Sequence, residues 1–457
     1  MKDFSNLPLT SAMVENLAAL GYADMTPIQE ESIPYVIDKK DVLAQAKTGS
    51  GKTAAFGIGI LHHLKMTQNQ VQALVLCPTR ELSEQVASEI RRLARFAANI
   101  KVLTLCGGAP IRPQTQSLEH RAHIVVGTPG RLGDHLRRGN LTLEHLTTLV
   151  FDEADRMLDM GFEEEINELI TYIPKKRQTL LFSATFSDAI KQLSKKFQNN
   201  AKEIFVESLH AENVIAQRFF EVEWKDKLAT TASILWTYTP ESTLIFCNTK
   251  QQCKDLLSYL LQNKFHALSI HGDLEQKERT EMLTLFANHS TSILIGTDVA
   301  ARGLDVKDLS AVINFDLPFE TENYIHRIGR TGRAGKEGLA FSLVTPKEQH
   351  KLDAINRFQK SAFRTETTAA LVTEGKTLLP PMMTISINGG RKSRIRPGDI
   401  LGALTKQAGI EGKRVGKIDV FELYTYVAVD RSVAKIAVQT LSAVPVKGKR
   451  FIARLHE

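Results

Sequence analysis

Short apolar runs alternate with longer amphipathic stretches through most of this chain. Val42 to Ala46, Ala73 to Cys77, Lys101 to Leu105, His123 to Val126, Thr147 to Phe151 and Thr179 to Phe182 are strand-like runs. Between them lie helical repeats such as Ala54 to Leu64 and Leu82 to Phe96. That alternation predicts a parallel sheet with helices on both faces. The scheme returns between about 216 and 360, with strands at Ser242 to Phe246, His266 to Ile270, Ser292 to Gly296, Ala311 to Phe315 and Gly338 to Val344. The last segment has another rhythm. Thr384 to Asn388, Pro397 to Ala408, Val415 to Phe421, Tyr424 to Val429, Val433 to Leu441 and Phe451 to Arg454 read strand, helix, strand, strand, helix, strand. The pattern predicts α/β domains over 1–207 and 216–362 and a small α+β domain over 381–457. Residues 208–215 and the Thr-rich 363–380 read as linkers.

Composition narrows the class. With 457 residues and 43% apolar content, each half can bury its own core. No run of 18 apolar residues indicates a membrane span, and the amino-terminal MKDFSNLPLT has no apolar signal region, so a cytoplasmic location is expected. Cys77, Cys106, Cys247 and Cys253 show no C-x-x-C spacing and suit buried thiols in a reducing compartment. The net charge of +7 is unevenly placed. Residues 381–457 hold 14 Lys+Arg and 6 Asp+Glu, a net of +8, which leaves −1 for the rest. A basic terminal module on a neutral body points to a grip on nucleic acid.

The chemistry sits in two stretches. Ala46 to Thr53 spells AKTGSGKT between a predicted strand and a predicted helix. Gly49 and Gly51 let the backbone bend so that N–H groups from Thr48 to Thr53, Ser50 among them, line a nest for phosphate, and the helix start adds positive charge. Lys52 can reach the outer phosphates of ATP, and Thr53 can place its hydroxyl on Mg2+. The usual first glycine is replaced by Ala46. About 100 residues on, Asp152-Glu153-Ala154-Asp155 follows an apolar strand. Asp152 is placed to hold the metal through water, and Glu153 to orient or deprotonate an attacking water. An acidic turn alone would read as a helix cap; its pairing with the glycine loop makes it half of a nucleotide site.

The second half has no phosphate loop. It carries His326-Arg327-Ile328-Gly329-Arg330-Thr331-Gly332-Arg333, where glycines allow several guanidinium groups to converge. The planar donor fork of arginine suits a transferring phosphoryl group.

With these motifs in this order, residues 1 to about 360 resemble the DEAD-box ATP-dependent RNA helicases of superfamily 2. The resemblance implies two tandem RecA-like domains. It implies that Thr26 and Gln29 of Thr26-Pro27-Ile28-Gln29 hydrogen-bond adenine and that Phe4 stacks on it. Pro78, Thr79 and Arg80, Gly107 and Gly108, and Thr128, Gly130 and Arg131 would grip RNA backbone, which suits their chemistry because helix starts, hydroxyls and arginines hold phosphate without reading bases. Ser183 and Thr185 would couple nucleotide state to domain closure. In the second half Asn248, Thr249 and Thr297 would meet RNA, Asp305 the ribose, His326 the acidic tetrad, and Arg330 and Arg333 would be arginine fingers.

The tail resembles the RNA-recognition (RRM-like) domain of the DbpA and YxiN type of bacterial rRNA helicases. Tyr424 and Tyr426 alternate along one strand and so share a face on which bases could stack. The first strand, Thr384 to Asn388, offers no aromatic. The loops with Arg391, Lys392, Arg394 and Arg396 and with Lys447, Lys449 and Arg450 are therefore expected to carry more of the binding. The reading is a monomeric ATPase motor that opens short RNA duplexes locally and is aimed by its tail at structured 23S ribosomal RNA during large-subunit assembly. Two rivals share the motor design: a nucleic-acid translocase without RNA preference, and an ATP-gated RNA clamp.

Overall fold

The computed structural model of the chain describes residues 3–46, 49–206, 215–301, 309–332 and 337–456. They form two compact units, the first running to 206 and the second from 215 onward. The first holds strands β1 (Val42–Gln45), β2 (Ala73–Leu76), β3 (Val102–Leu105), β4 (Ile124–Gly127), β5 (Thr148–Asp152), β6 (Gln178–Ser183) and β7 (Lys202–Phe205). All pairs are parallel, in the order β3-β4-β2-β5-β6-β1-β7. Every residue of β2, β4, β5 and β6 is buried. Alternate residues feed opposite layers: Val75, Val150 and Phe182 pack with Phe56 and Ile90, while Leu74, Leu149 and Leu181 pack with Leu132 and Ile166. That explains why these strands read as unbroken apolar runs. β7 escaped the pattern because it is an edge strand with only Ile204 buried.

The second unit opens with β8 (Ile215–Glu221), β9 (Thr243–Cys247), β10 (Ala267–Ile270), β11 (Ile293–Thr297), β12 (Ala311–Asn314), β13 (Gly338–Val344) and β14 (Thr365–Glu366), again parallel, in the order β10-β11-β9-β12-β13-β8-β14. β14 lies within the stretch expected to be a connector. That stretch is strapped down: Arg218 pairs with Glu366, Val372 N–H donates to Thr237 Oγ1 at 2.9 Å, and Leu371 is buried in the core.

The tail adds β15 (Met382–Ile387), β16 (Val415–Val420), β17 (Thr425–Asp430) and β18 (Ala453–His456), antiparallel in the order β16-β17-β15-β18. Its two helical segments run from Pro397 through Gln407 and over Ala434–Ala443. Ile385, Ile387, Val427 and Val429 face them with Ile400, Leu404 and Leu441. The opposite face of the sheet meets the segment after Gln276 in the same unit. Thr384 is fully buried, with Oγ1 2.7 Å from Ser290 Oγ and 3.2 Å from Asn288 Nδ2. The Tyr426 hydroxyl donates to Glu281 Oε2 at 3.1 Å, and His456 Nδ1 lies 3.4 Å from Glu281 Oε1.

Candidate active site and nucleic-acid interface

The glycine loop connects β1 to the helix Lys52–His63. Gly49 and Gly51 have φ of 86° and 94°, a left-handed backbone that a side chain resists. A Cβ on Gly51 would also collide with the Gln29 amide. Gln29 holds the loop from beneath: its Nε2 donates to Gly51 O at 3.1 Å, and its Oε1 accepts from Thr26 N at 2.9 Å. Thr26 Oγ1 donates to Ser50 O at 2.7 Å. Both residues expected to read adenine thus grip the loop backbone. Phe4 departs from expectation. It is 1% exposed and packs edge-on to Tyr22, so it fills the core and offers no open face for stacking. Thr48 lies outside the described residues.

Ser50 Oγ, Lys52 Nζ and Asp152 Oδ1 are buried with no hydrogen-bond partner among the described residues. A hydroxyl, an ammonium and one carboxylate oxygen left without a hydrogen bond inside a protein are costly unless a ligand satisfies them. Thr53, half-buried, follows Lys52 on the helix. Burial pushes the Asp152 carboxyl up to about 6, against the pull of nearby Lys52. The donor set fits phosphate oxygens and a cation.

Beside it, Glu153 has φ 56° and ψ 53°, a left-handed conformation that costs a non-glycine residue about 1–2 kcal/mol. Its carboxylate accepts from Arg156 Nη1 at 2.8 Å, with both side chains buried. Asp155 Oδ2 accepts from the N–H groups of Ala184 and Thr185, each at 3.0 Å. Ser183, at the end of β6, supplies Oγ to Thr185 N at 3.3 Å and its carbonyl to Ala46 N at 2.9 Å. The Ser183–Thr185 turn is therefore tied to both the acidic tetrad and the glycine loop.

Three further turns sit at the same carboxyl edge, after β2, β3 and β4. Thr79 caps the helix Arg80–Leu93, its Oγ1 accepting from Leu82 N at 3.2 Å, with Pro78 buried before it. Arg80 Nη1 donates to Gly108 O at 3.5 Å, Gly107 N to Thr128 Oγ1 at 3.5 Å, and Arg131 Nη2 to Ala109 O at 2.9 Å. Open space faces Gly107 and Gly130. The sequence-predicted RNA residues of this half thus form one cluster of helix starts and donors, the rim on which open α/β sheets hold ligands.

In the second unit Asn248 and Thr249 follow β9, and Thr297 ends β11. Thr249 caps the helix Lys250–Gln262. Arg327 binds this edge together. It is 1% exposed and donates to both oxygens of Asp298 (2.7 and 2.6 Å), to Asn248 Oδ1 (3.1 Å), Asn314 Oδ1 (3.2 Å) and Asp316 O (2.6 Å). His326 and buried Arg330 flank it on and just beyond the helix Thr321–Ile328. Asp305 and Arg333 lie outside the described residues.

In the tail the basic loops are exposed at Arg391, Lys392, Arg394, Arg396, Lys447, Lys449 and Arg450. The first is pinned to the β16–β17 hairpin: Arg391 N donates to Phe421 O at 2.8 Å and Lys392 N to Glu422 O at 3.0 Å. Tyr424 lies there, half-buried, 5.1 Å from Phe421 and 5.5 Å from Tyr426. Tyr426 itself is 2% exposed. Its ring is spent on packing, because the sheet face that would stack bases is covered.

Comparison with known proteins agrees with this geometry. The DEAD/DEAH box helicase family model matches residues 26–193, the helicase conserved C-terminal domain 226–335, and the DbpA RNA binding domain 384–455. The chain is 48% identical to the Escherichia coli ATP-dependent RNA helicase DbpA over the full length of both. The chain belongs to the DEAD-box family of ATP-dependent RNA helicases. It is also 35% identical to Bacillus subtilis DbpA over 99% of this chain and 98% of that one. Among solved structures it is similar to Saccharomyces cerevisiae Dbp5 bound to RNA and ADP BeF3, with a TM-score of 0.74 and 30% identity over 81% of this chain and 96% of that one.

Sequence reasoning gives no individual role to Asp155, Asp298 or Glu281 and counts Arg327 among arginines that converge on phosphate, whereas the structure spends Arg327 on acceptors of its own unit. Asp155 and Arg327 were visible inside the acidic tetrad and the arginine-rich motif. Glu281 carries no signal, since its partners Tyr426 and His456 are 145 or more residues away.

Proposed function

We propose that this helicase binds ATP with Mg2+ at the glycine loop and couples its hydrolysis to local opening of short RNA duplexes. Its tail aims the motor at structured 23S ribosomal RNA during large-subunit assembly in the cytoplasm, and it acts as a monomer. The observation that carries the nucleotide reading is the trio of buried polar atoms, Ser50 Oγ, Lys52 Nζ and Asp152 Oδ1, that have no hydrogen-bond partner among the described residues. Mg2+, when bound, neutralises charge on the outer phosphates. In this reading Thr53 and Asp152 hold the metal, Lys52 and the loop N–H groups of Thr48 to Gly51 orient the phosphates, and Glu153 takes the proton of the attacking water. Thr26 and Gln29 meet adenine after giving up part of their hold on the loop. Arg330 and Arg333 supply the fingers, His326 the link to the tetrad and Asp305 the ribose contact. RNA backbone lies on the Thr79, Gly107 and Arg131 rim and on Asn248, Thr249 and Thr297. In the tail the exposed basic loops and Tyr424 support RNA binding. The test is ATPase stimulation across a panel of RNA fragments, ribosomal ones included, with DNA as comparator. Strong preference for one 23S fragment is expected; equal stimulation by DNA would favour the general translocase.

A further inference from the structure

The first unit carries a strong local charge far from its nucleotide edge. Its first 207 residues are balanced, with 24 basic and 24 acidic side chains. Yet the loops that enter β1 and β6, the last turn of the helix Asp188–Phe197 and the start of β7 hold Lys39-Lys40, Lys175-Lys176-Arg177, Lys195-Lys196 and Lys202. In segments 38–41, 174–178 and 195–203 that is eight basic residues against Asp38, Asp41 and Glu203. All the lysines are exposed. The glycine loop and the tetrad sit at the other ends of β1, β5 and β6. Strands of four to six residues separate the two edges, roughly 13–20 Å before loops are added.

The basic edge is a built surface. Asp41 binds its three loops together, accepting from Thr179 N at 2.7 Å and Asn199 N at 2.6 Å. That leaves both of its oxygens committed to main chain. A recess of about 700 Å³ opens among Lys175, Arg177, Lys196 and Asn199. Arg177 forms part of its lining: its Nη atoms donate to Pro174 O and Phe197 O, and its Nε is buried with no partner among the described residues. Several lysines are held in place. Lys40 and Lys202 flank the Tyr35 ring at 5.9 and 5.4 Å, and Lys196 lies 5.4 Å from the Phe197 ring with Nζ 2.6 Å from Asn167 Oδ1. Ammonium groups held over aromatic faces at exposed positions keep their charge at the surface and lose less freedom when an anion binds.

We propose that this edge is a second RNA-backbone contact, separate from the helicase rim, which holds a flanking part of a large structured RNA by its phosphates. Phosphodiester is the chemistry that fits: Lys175, Arg177 and Lys196 outnumber the one lining carboxylate, Asp41, whose oxygens are both taken by main chain, and the amides of Asn167 and Gln198 are engaged within the protein; an open recess of that charge holds backbone more readily than it reads sequence. An acidic protein would be the rival occupant. The known RNA activity of the chain favours RNA, and the proposal needs that activity only, not the identity of the ribosomal target.

The test is the full-length variant with Lys40→Glu, Lys175→Glu and Lys176→Glu, all exposed positions. Its affinity for a 23S ribosomal RNA transcript is measured against salt concentration, beside ATPase stimulation by a short oligouridylate. The transcript should bind roughly tenfold more weakly at low salt. The slope of log affinity against log salt should be shallower by about one for each phosphate that the variant no longer neutralises. Oligouridylate-stimulated turnover should stay at the unmodified level. Footprinting of the unmodified protein by lysine acetylation gives a readout without mutation: Lys175 and Lys176 should be protected by the transcript and not by the oligouridylate. An unchanged salt slope, equal loss with both RNAs, or no protection by the transcript would overturn the proposal.

Discussion

Asp152 shows how a site can be tuned at the expense of the empty protein. Its raised carboxyl means that the nucleotide-free native state holds a proton which the unfolded chain has released between the ordinary carboxylate value of 3.8 and about 6. The native state binds more protons in that window, so this group's contribution to stability grows as pH falls through it. Binding a metal-bound nucleotide needs the carboxylate and runs the other way. Nucleotide affinity should therefore decline below pH 6 while the thermal midpoint of the nucleotide-free protein gains from this group. Asp152→Asn should flatten both trends, abolish turnover, and raise the nucleotide-free midpoint at pH 7.5 by a few degrees, measured by calorimetry. Glu153→Gln keeps the shape and removes the base, so hydrolysis should fall on the order of 10²–10⁴-fold while ATP and RNA still bind. Normal turnover in that variant would assign the base elsewhere. Lys52→Ala should lose ATP binding and turnover together.

At the scale of elements, the Ser183–Thr185 turn and the arginine helix each tie several segments together. Asp155→Ala leaves the N–H groups of Ala184 and Thr185 without their acceptor, at roughly 1–3 kcal/mol each where water cannot reach them. ATP hydrolysis should survive better than unwinding, read as duplexes opened per ATP consumed; an unchanged ratio would remove the turn from the coupling path. Arg327→Lys keeps the charge but cannot serve five acceptors, so urea unfolding of the second unit should weaken by about 1–3 kcal/mol. The glycine loop could be read from sequence because Gly51 has neither the φ nor the space for a side chain, a requirement written into local spacing. The central strands could be read because burial on both faces leaves them apolar throughout. What could not be read depended on distant partners. Phe4 looks like an available ring until Tyr22 is seen against it. Thr365–Glu366 looks like linker until it is paired with β8. Tyr426 looks like a stacking platform until Glu281 takes its hydroxyl.

For the whole molecule, the proposed division between motor and targeting falls near Pro380. Truncation there should leave a folded ATPase, because the surface it uncovers is polar, with Glu281, Asn288 and Ser290 returning to water. The shortened protein should work on generic RNA at high concentration and lose any preference for one ribosomal fragment. Retention of that preference would strip the tail of its aiming role. The first unit alone should bind ATP and hydrolyse it far more slowly than the whole chain, since Arg330 belongs to the second. The joint beneath Thr384 and Tyr426 also limits what an engineer can do with the tail. It is keyed to a few side chains of its own motor, so it is not an interchangeable part. Fused to a foreign ATPase that lacks Glu281, Asn288 and Ser290, it would bring its appetite for RNA but not the orientation from which that RNA is presented, and the chimera would hold its target without working on it.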